Sequence, residues 1–133
     1  MSIPRVGRVW RWLAVVLWMG LIFYVSAQAD LPHHPEETWD LILKKLGHFS
    51  EYGILAVLVF WASVQDAESI RTRAVLGAFA FTALYALSDE IHQSFVPGRD
   101  SQLLDVALDA VGAGLALLVV SRLLPSRGSP PGR

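Results

Sequence analysis

Four long apolar runs dominate this sequence and restrict it to one broad class of fold. Each run comes near the roughly 20 residues that an α-helix needs to cross the hydrocarbon core of a bilayer. The runs cover residues 9–27, 46–64, 74–91 and 103–124. Because open strands cannot satisfy their backbone groups in lipid, we predict that all four runs are helices. We therefore expect an all-α membrane protein, with a bundle of four transmembrane helices in one domain over residues 1–124.

Composition supports this class and excludes several others. Charged residues make up 17% of the chain, whereas soluble domains average roughly 25%. The net charge of −1 provides no basic surface, so we expect no nucleic-acid partner. The absence of cysteine excludes disulfides, zinc-thiolate sites and thiol nucleophiles. Residues 125–133 are rich in Pro, Gly and Ser, and we predict a disordered tail there.

The distribution of basic residues predicts the orientation in the membrane. Most of them precede the first run, separate the second from the third, or end the chain: Arg5, Arg8, Arg11, Arg71, Arg73, Arg122, Arg127 and Arg133. Only Lys44, Lys45 and Arg99 belong to the other side. Since positive charge accumulates on the cytoplasmic side, we predict that both termini are cytoplasmic. The loops 30–43 and 93–100 then face outward.

The first 29 residues also allow a second interpretation, as a secretory signal peptide. They combine a basic start, an apolar middle and an Ala27-Gln28-Ala29 sequence that resembles a cleavage site. Cleavage would leave three helices and the same external loops. The apolar run is longer than the roughly 7–15 residues of an ordinary signal core, and aromatic residues lie near both its ends. Both features favour a permanent first helix.

Ionisable residues cluster at the outer ends of the last three predicted helices. Charged groups inside a bilayer are costly, and those that occur there are usually functional. On the second helix, spacings of three and four residues place Lys45, His48, Glu51 and Tyr52 on one face. The alternative is a purely structural role: the helix starts at the membrane interface, one acid and one base form a pair, and a lysine extends to the interface. For His48 and Glu51 we favour a functional role.

The third helix ends with a similar polar group. Asp89, His92 and Gln93 share a face, and Glu90 points about 100° away from Asp89 around the helix. An ordinary polar last turn is the alternative. The added His92 and Gln93 at helical spacing favour a functional site.

A turn and the fourth helix complete the polar set. Pro97-Gly98 predicts a turn, and Asp100 or Ser101 can cap the following helix. Arg99 would stand beside the positive end of that helix, so it needs an anion, either a protein carboxylate or a ligand phosphate. Asp105 and Asp109 lie one turn apart on a stripe with small residues, which should face the bundle. We expect Asp109 to be protonated or paired; a purely structural contact is the alternative.

These residues together resemble the VanZ-like family of small membrane proteins. The resemblance rests on two blocks and the residues that follow them: Lys45-x-x-His48-Phe49-x-Glu51-Tyr52-x-x-Leu55, then Ser88-Asp89-Glu90-x-His92-Gln93-x-Phe95-Val96-Pro97-Gly98-Arg99, Asp105 and Gly112-x-Gly114. A weaker similarity is the Ser26 and Gln28 pair at the end of the first helix.

The resemblance implies four transmembrane helices in the bacterial cytoplasmic membrane and a link to teicoplanin resistance. It implies no reaction. The family usually has Asn where this chain has Asp109.

Three functions stay open. The first is an enzyme acting on an envelope lipid or lipid-linked precursor, and the second is a module that binds such a lipid or a partner protein without reaction. The acid–base candidates are His48, Glu51, Asp89, Glu90 and His92. The candidates for holding the substrate are Lys45, Tyr52, Gln93, Arg99, Asp105 and Asp109. The third is a metal site, for zinc, manganese or iron, built from His48, Glu51, Asp89, His92 and Asp105. We predict no cofactor.

Overall fold

The computed structural model describes residues 5–28, 35–64, 68–99 and 101–124, without the side chains of residues 5, 6 and 68–70. It contains four helices in this part of the chain, and no strand. They are α1 (Arg5–Ser26), α2 (Glu37–Ser63), α3 (Glu68–Gln93) and α4 (Leu103–Leu123). Each helix includes an apolar stretch long enough to cross a membrane. The predicted all-α, four-helix membrane fold is confirmed. Asp100 and the tail 125–133 lie outside the described residues.

Helix α2 is longer than its apolar run predicts. It begins at Glu37, nine residues before the predicted start at residue 46, so much of the predicted loop 30–43 is helical. Glu37 and Asp40 lie in the first turn, where their negative charges interact favourably with the positive end of the helix dipole. The Lys44 ammonium donates to Asp40 over 2.6 Å, one turn away. With 27 residues, α2 is about 40 Å long, so it exceeds a hydrocarbon core of roughly 30 Å.

The two middle helices form the centre of the bundle. Helices α2 and α3 contact each other. Helix α1 packs against both of these helices, and helix α4 also packs against both. Within the described residues, α1 and α4 share no substantial contact. The largest fully buried side chains include Tyr52, Phe60 and Leu55, all from α2. Polar side chains on the inner faces of α2 and α3 are therefore brought together inside the bundle.

Small residues allow α2 and α4 to pack closely against each other. A Cβ atom added at Gly112 would lie 2.6 Å from the backbone oxygen of Phe49. A Cβ atom added at Gly53 would lie 3.4 Å from the Gly112 oxygen and 3.5 Å from the Ala116 Cβ. Asp109 is buried one turn before Gly112. The stripe of α4 that was predicted to face the bundle does so.

Arginines bind the carbonyl ends of neighbouring helices. Arg11 of α1 donates to the Trp61 oxygen near the end of α2 over 3.0 Å, and its guanidinium lies 5.0 Å from the centre of the Trp61 ring. Arg71 of α3 donates to the Ser121 and Leu124 oxygens at the end of α4, over 2.7 and 2.6 Å. A positive charge is favourable at this end of a helix dipole, so these contacts tie the helices together.

Candidate functional site

Asp89 is the centre of a hydrogen-bond network that joins α1, α2 and α3. Its Oδ2 atom accepts from the Ser26 hydroxyl over 2.9 Å, from the Tyr52 hydroxyl over 2.7 Å and from the Gln93 amide over 3.1 Å. The side chain is buried. Hydrogen bonds to a carboxylate are shorter and stronger than those between neutral groups. The network therefore fixes the mutual position of three helices at this end of the bundle.

Ser26 belongs to this network although it was not among the predicted site residues. It is 2% exposed, and its hydroxyl also accepts from the Gln93 amide over 3.2 Å. A serine at the end of an apolar helix carries little information by itself. The signal that could have selected it was the Ser26 and Gln28 similarity to the VanZ-like family.

Glu90 faces the start of α4 and not the Asp89 network. Its Oε1 atom accepts from the Gln102 backbone amide, and its backbone oxygen accepts from the Ser101 hydroxyl over 3.2 Å. This carboxylate stands where the first backbone N–H groups of α4 need an acceptor. The predicted cap by Ser101 is wrong: α4 starts after Gln102 without a side-chain cap, because the Ser101 hydroxyl turns to Glu90.

The loop between α3 and α4 contains the predicted turn. The Arg99 amide donates to the Val96 oxygen over 3.3 Å, and Gly98 has a φ of 80°. These values fit a type II turn with Pro97 in the second position and glycine in the third, where a positive φ is required. The turn brings Arg99 back towards the end of α1.

The Arg99 guanidinium binds no carboxylate among the described residues. Its Nε donates to the Gln28 oxygen over 3.1 Å, and its Nη2 donates to the Val25 oxygen over 2.9 Å. The physical reason is that the carbonyl end of α1 carries partial negative charge and lies beside the turn. Arg99 thus joins the α3–α4 loop to α1, in the same way that Arg11 and Arg71 bind other helix ends.

Lys45 also pairs with another side chain of the protein. Its ammonium group forms an ion pair and hydrogen bond with the Asp105 carboxylate of α4. Both side chains are partly buried, so the pair is shielded from solvent more than an ordinary surface pair. It connects α2 to α4 on the side of the bundle opposite α1.

Four polar groups of the predicted site have no partner among the described residues. The buried Nδ1 atoms of His48 and His92 and the buried Oδ1 atom of Asp109 make no hydrogen bond there. The Glu51 carboxylate makes no hydrogen bond or ion pair with a described residue, although the Glu51 backbone oxygen accepts from the Trp18 indole over 2.9 Å.

No hydrogen bond forms within His48–Glu51 or within His92–Asp89, although each pair shares a helix face. The His92 ring stacks on Phe23 of α1 with ring centres 4.6 Å apart and planes inclined by 18°. Asp89 is occupied by donors from three helices. Helical spacing placed each pair on a common face, but contacts with other helices determined the rotation of each side chain.

The side chains that already have hydrogen-bond or ion-pair partners and those that have none nevertheless lie in one cluster. His48 is within electrostatic range of Asp89, Glu90, Arg99 and Lys45. Glu51 is within range of Asp89 and Arg99, and Asp109 is within range of Glu51 and both α3 acids. We call this set the end cluster. Its members are Lys45, His48, Glu51, Tyr52, Asp89, Glu90, His92, Gln93, Arg99, Asp105 and Asp109.

The end cluster does not have the geometry of a metal site. In the part of the chain that the structure describes, no three His, Asp or Glu side chains converge closely enough to hold a metal ion. Two carboxylates of the predicted ligand set are occupied, Asp89 by three donors and Asp105 by Lys45. The predicted metal alternative gains no support from this arrangement.

Comparison with known proteins gives one match. No curated protein and no solved structure matches the chain. A family model described as VanZ/LLP1 matches residues 11–124, from the second turn of α1 to the residue after α4. The match covers most of the chain and confirms the family resemblance read from its two polar blocks. This multi-pass membrane protein, with its end cluster built from α2, α3, α4 and the loop between α3 and α4, belongs to the VanZ/LLP1 family.

Proposed function

We propose that this protein binds the head group of an envelope lipid or lipid-linked precursor at the outer leaflet of the bacterial cytoplasmic membrane. The observation that carries the proposal is the partner-free pair His48 and Glu51, which lie on one face of a membrane-spanning helix. Both are partly buried and not fully enclosed. A polar group left without a partner in such a segment costs several kcal/mol in lipid. A head group bound beside them would supply a partner for the Glu51 carboxylate.

The rest of the end cluster forms the frame of this site. Asp89 holds three helices together, Glu90 holds the start of α4, and Lys45 joins α2 to Asp105. Arg99 holds the end of α1. We therefore assign these residues a positioning role, in place of direct contact with a ligand phosphate.

Binding fits the geometry better than acid–base catalysis does. A catalytic histidine usually has a carboxylate that orients its ring and selects its tautomer. His92 is stacked on Phe23, and neither it nor His48 makes a hydrogen bond to a carboxylate among the described residues. One observation keeps catalysis as the second candidate: the buried Nδ1 atom of His48 has no hydrogen-bond partner among the described residues, so no described group fixes its protonation state.

Lipid retention tests the proposal directly. The protein and its His48→Ala and Glu51→Gln variants are reconstituted in bacterial polar lipid extract, and bound lipids are identified by native mass spectrometry. Asp40→Asn is the matched control, since it removes a partly buried α2 carboxylate that pairs with Lys44 and lies outside the end cluster. We expect specific retention by the wild type and the control, and its loss in both site variants. Equal retention by all four proteins contradicts the proposal, and conversion of the retained lipid supports the catalytic candidate.

The orientation in this proposal follows from the arginine distribution and has its own test. The chain has no cysteine, so single cysteines can be labelled without background. Gln102→Cys and Thr72→Cys lie at opposite ends of the bundle, and both side chains are exposed. We expect a membrane-impermeant maleimide to label Gln102→Cys in intact cells and Thr72→Cys only after permeabilisation. The reverse pattern places the end cluster on the cytoplasmic side.

The link to teicoplanin resistance is part of the same proposal. Cells that express the wild-type protein should tolerate more teicoplanin than cells that express Glu51→Gln at equal membrane levels. Identical minimum inhibitory concentrations for the two proteins would show that the Glu51 site does not contribute to teicoplanin resistance.

A further inference from the structure

The end cluster contains more acids than its cations can neutralise. Lys45 is paired with Asp105, and the described donors of Arg99 bind backbone oxygens. Glu51, Asp89, Glu90 and Asp109 form no ion pair with any described residue. Uncompensated carboxylates in a membrane protein are costly, and an external cation relieves the cost.

Asp109 shows that the cluster lacks donors as well as positive charge. It is 2% exposed, and its buried Oδ1 atom has no hydrogen-bond partner in the described structure. The charged groups around it are mainly Asp89, Glu90 and Glu51, with Lys45 as the cation in range. A buried carboxyl group without a donor, whose main charged neighbours are other carboxylates, favours a positive charge close to the cluster.

The more accessible members of the cluster lack a donor too. Glu51 is partly exposed, and its carboxylate has no hydrogen-bond or ion-pair partner among the described residues. His48 lies one turn away on the same face of α2; its side chain is partly exposed, but its unpartnered Nδ1 atom is buried. A phosphate placed here would meet these carboxylates without a free cation to bind it. A cation that carries N–H donors would instead match both the charge and the hydrogen-bonding capacity.

We propose that the bound head group contains a primary ammonium, as in an aminophospholipid, with Glu51 accepting its N–H groups and His48 beside it. This inference rests on the proposed head-group binding and specifies its chemistry. Asp109 does not touch the ligand, because it is enclosed by protein. Its carboxyl group, with Asp89 and Glu90, makes the interior behind Glu51 attractive to positive charge.

The test varies the lipid, so it does not depend on a variant that folds. Wild-type protein is placed in nanodiscs of phosphatidylglycerol that contain a small fraction of phosphatidylethanolamine, its N-methyl or N,N-dimethyl form, or phosphatidylcholine with the same acyl chains. We expect retention to fall with each methyl group and to be about tenfold weaker for phosphatidylcholine, which has the charge but no N–H donor. Ethanolamine added in solution should compete only weakly if the acyl chains also contribute.

A second arm assigns the effect to Glu51. Glu51→Gln should remove the preference for phosphatidylethanolamine, whereas the Asp40→Asn control should keep it. Retention of phosphatidylglycerol that depends on His48 and Glu51 overturns the ammonium inference and leaves head-group binding intact. Retention that is independent of both residues for every lipid contradicts the proposed function itself. Equal retention of phosphatidylethanolamine and phosphatidylcholine overturns the requirement for N–H donors.

Discussion

Replacing Gly112 by alanine should separate α2 from α4. The added Cβ atom would lie 2.6 Å from the Phe49 backbone oxygen and 3.2 Å from two atoms of the Phe49 ring. The ring could rotate away, but the oxygen belongs to the α2 backbone and can move only with the helix. The substitution therefore acts on the helix–helix contact that also holds the Lys45–Asp105 pair.

The size of the effect can be worked out from two opposing terms. Forcing an extra carbon into a well-packed interior costs about 1–3 kcal/mol. Alanine is the better helix former by about 0.8–1.0 kcal/mol in water, which offsets part of that cost. We expect Gly112→Ala to lower the free energy of unfolding by up to about 2 kcal/mol. Gly77 of α3 is the matched control, since a Cβ atom there meets nothing within 4 Å.

Reversible unfolding in mixed micelles provides the measurement. The detergent SDS is titrated into each protein, and the loss of helix is followed by circular dichroism. Gly112→Ala should unfold at a lower SDS fraction than the wild type, and Gly77→Ala at the same fraction or a higher one. If the two alanine variants have the same free energy of unfolding, the close contact between α2 and α4 does not determine stability.

Two further substitutions test the network and the helix ends by the same measurement. Tyr52→Phe removes a hydroxyl donor to Asp89 and should cost about 1–2 kcal/mol. Tyr24→Phe alters an exposed ring and should cost nothing measurable, so equal losses would refute the network's role. Arg71→Gln leaves the end of α4 without its cation and should cost up to about 2 kcal/mol. Arg73→Gln, at an exposed position, should stay within about 0.5 kcal/mol, and similar losses for both arginines would count against the helix-end contacts.

The fold was predictable because lipid leaves few choices for long apolar runs. The four helices and the inward stripe of α4 followed from hydrophobicity and from the placement of small residues. The start of α2 did not, since its first turns carry Glu37, Asp40 and Lys44. Charge pairing at helical spacing and the helix dipole stabilise this segment. A search for apolar residues cannot detect either effect.

Helical spacing grouped most of the polar side chains at this end of the bundle, but it missed Ser26 and did not give their hydrogen-bond partners. Helical spacing correctly brought Asp89 and Gln93 to one face, and the two now share a hydrogen bond. The same rule paired His92 with Asp89, but Phe23 of α1 holds the His92 ring elsewhere. Arg99 was matched to an anion because backbone carbonyls leave no mark in a sequence. Those pairings depend on how the helices rotate against one another, which residue spacing within one helix does not specify.

The arginines at the helix ends have a consequence for membrane insertion. Arg11 and Arg71 belong to the set of basic residues that predicts which side of the bilayer each loop takes. They also bind the ends of α2 and α4 in the finished fold. A chain inserted the wrong way round would therefore have to carry these charges across the bilayer or lose its interhelical contacts. The same arginine charges therefore favour one orientation during insertion and stabilise the folded bundle afterwards. A substitution that removes one of them should affect both orientation and stability.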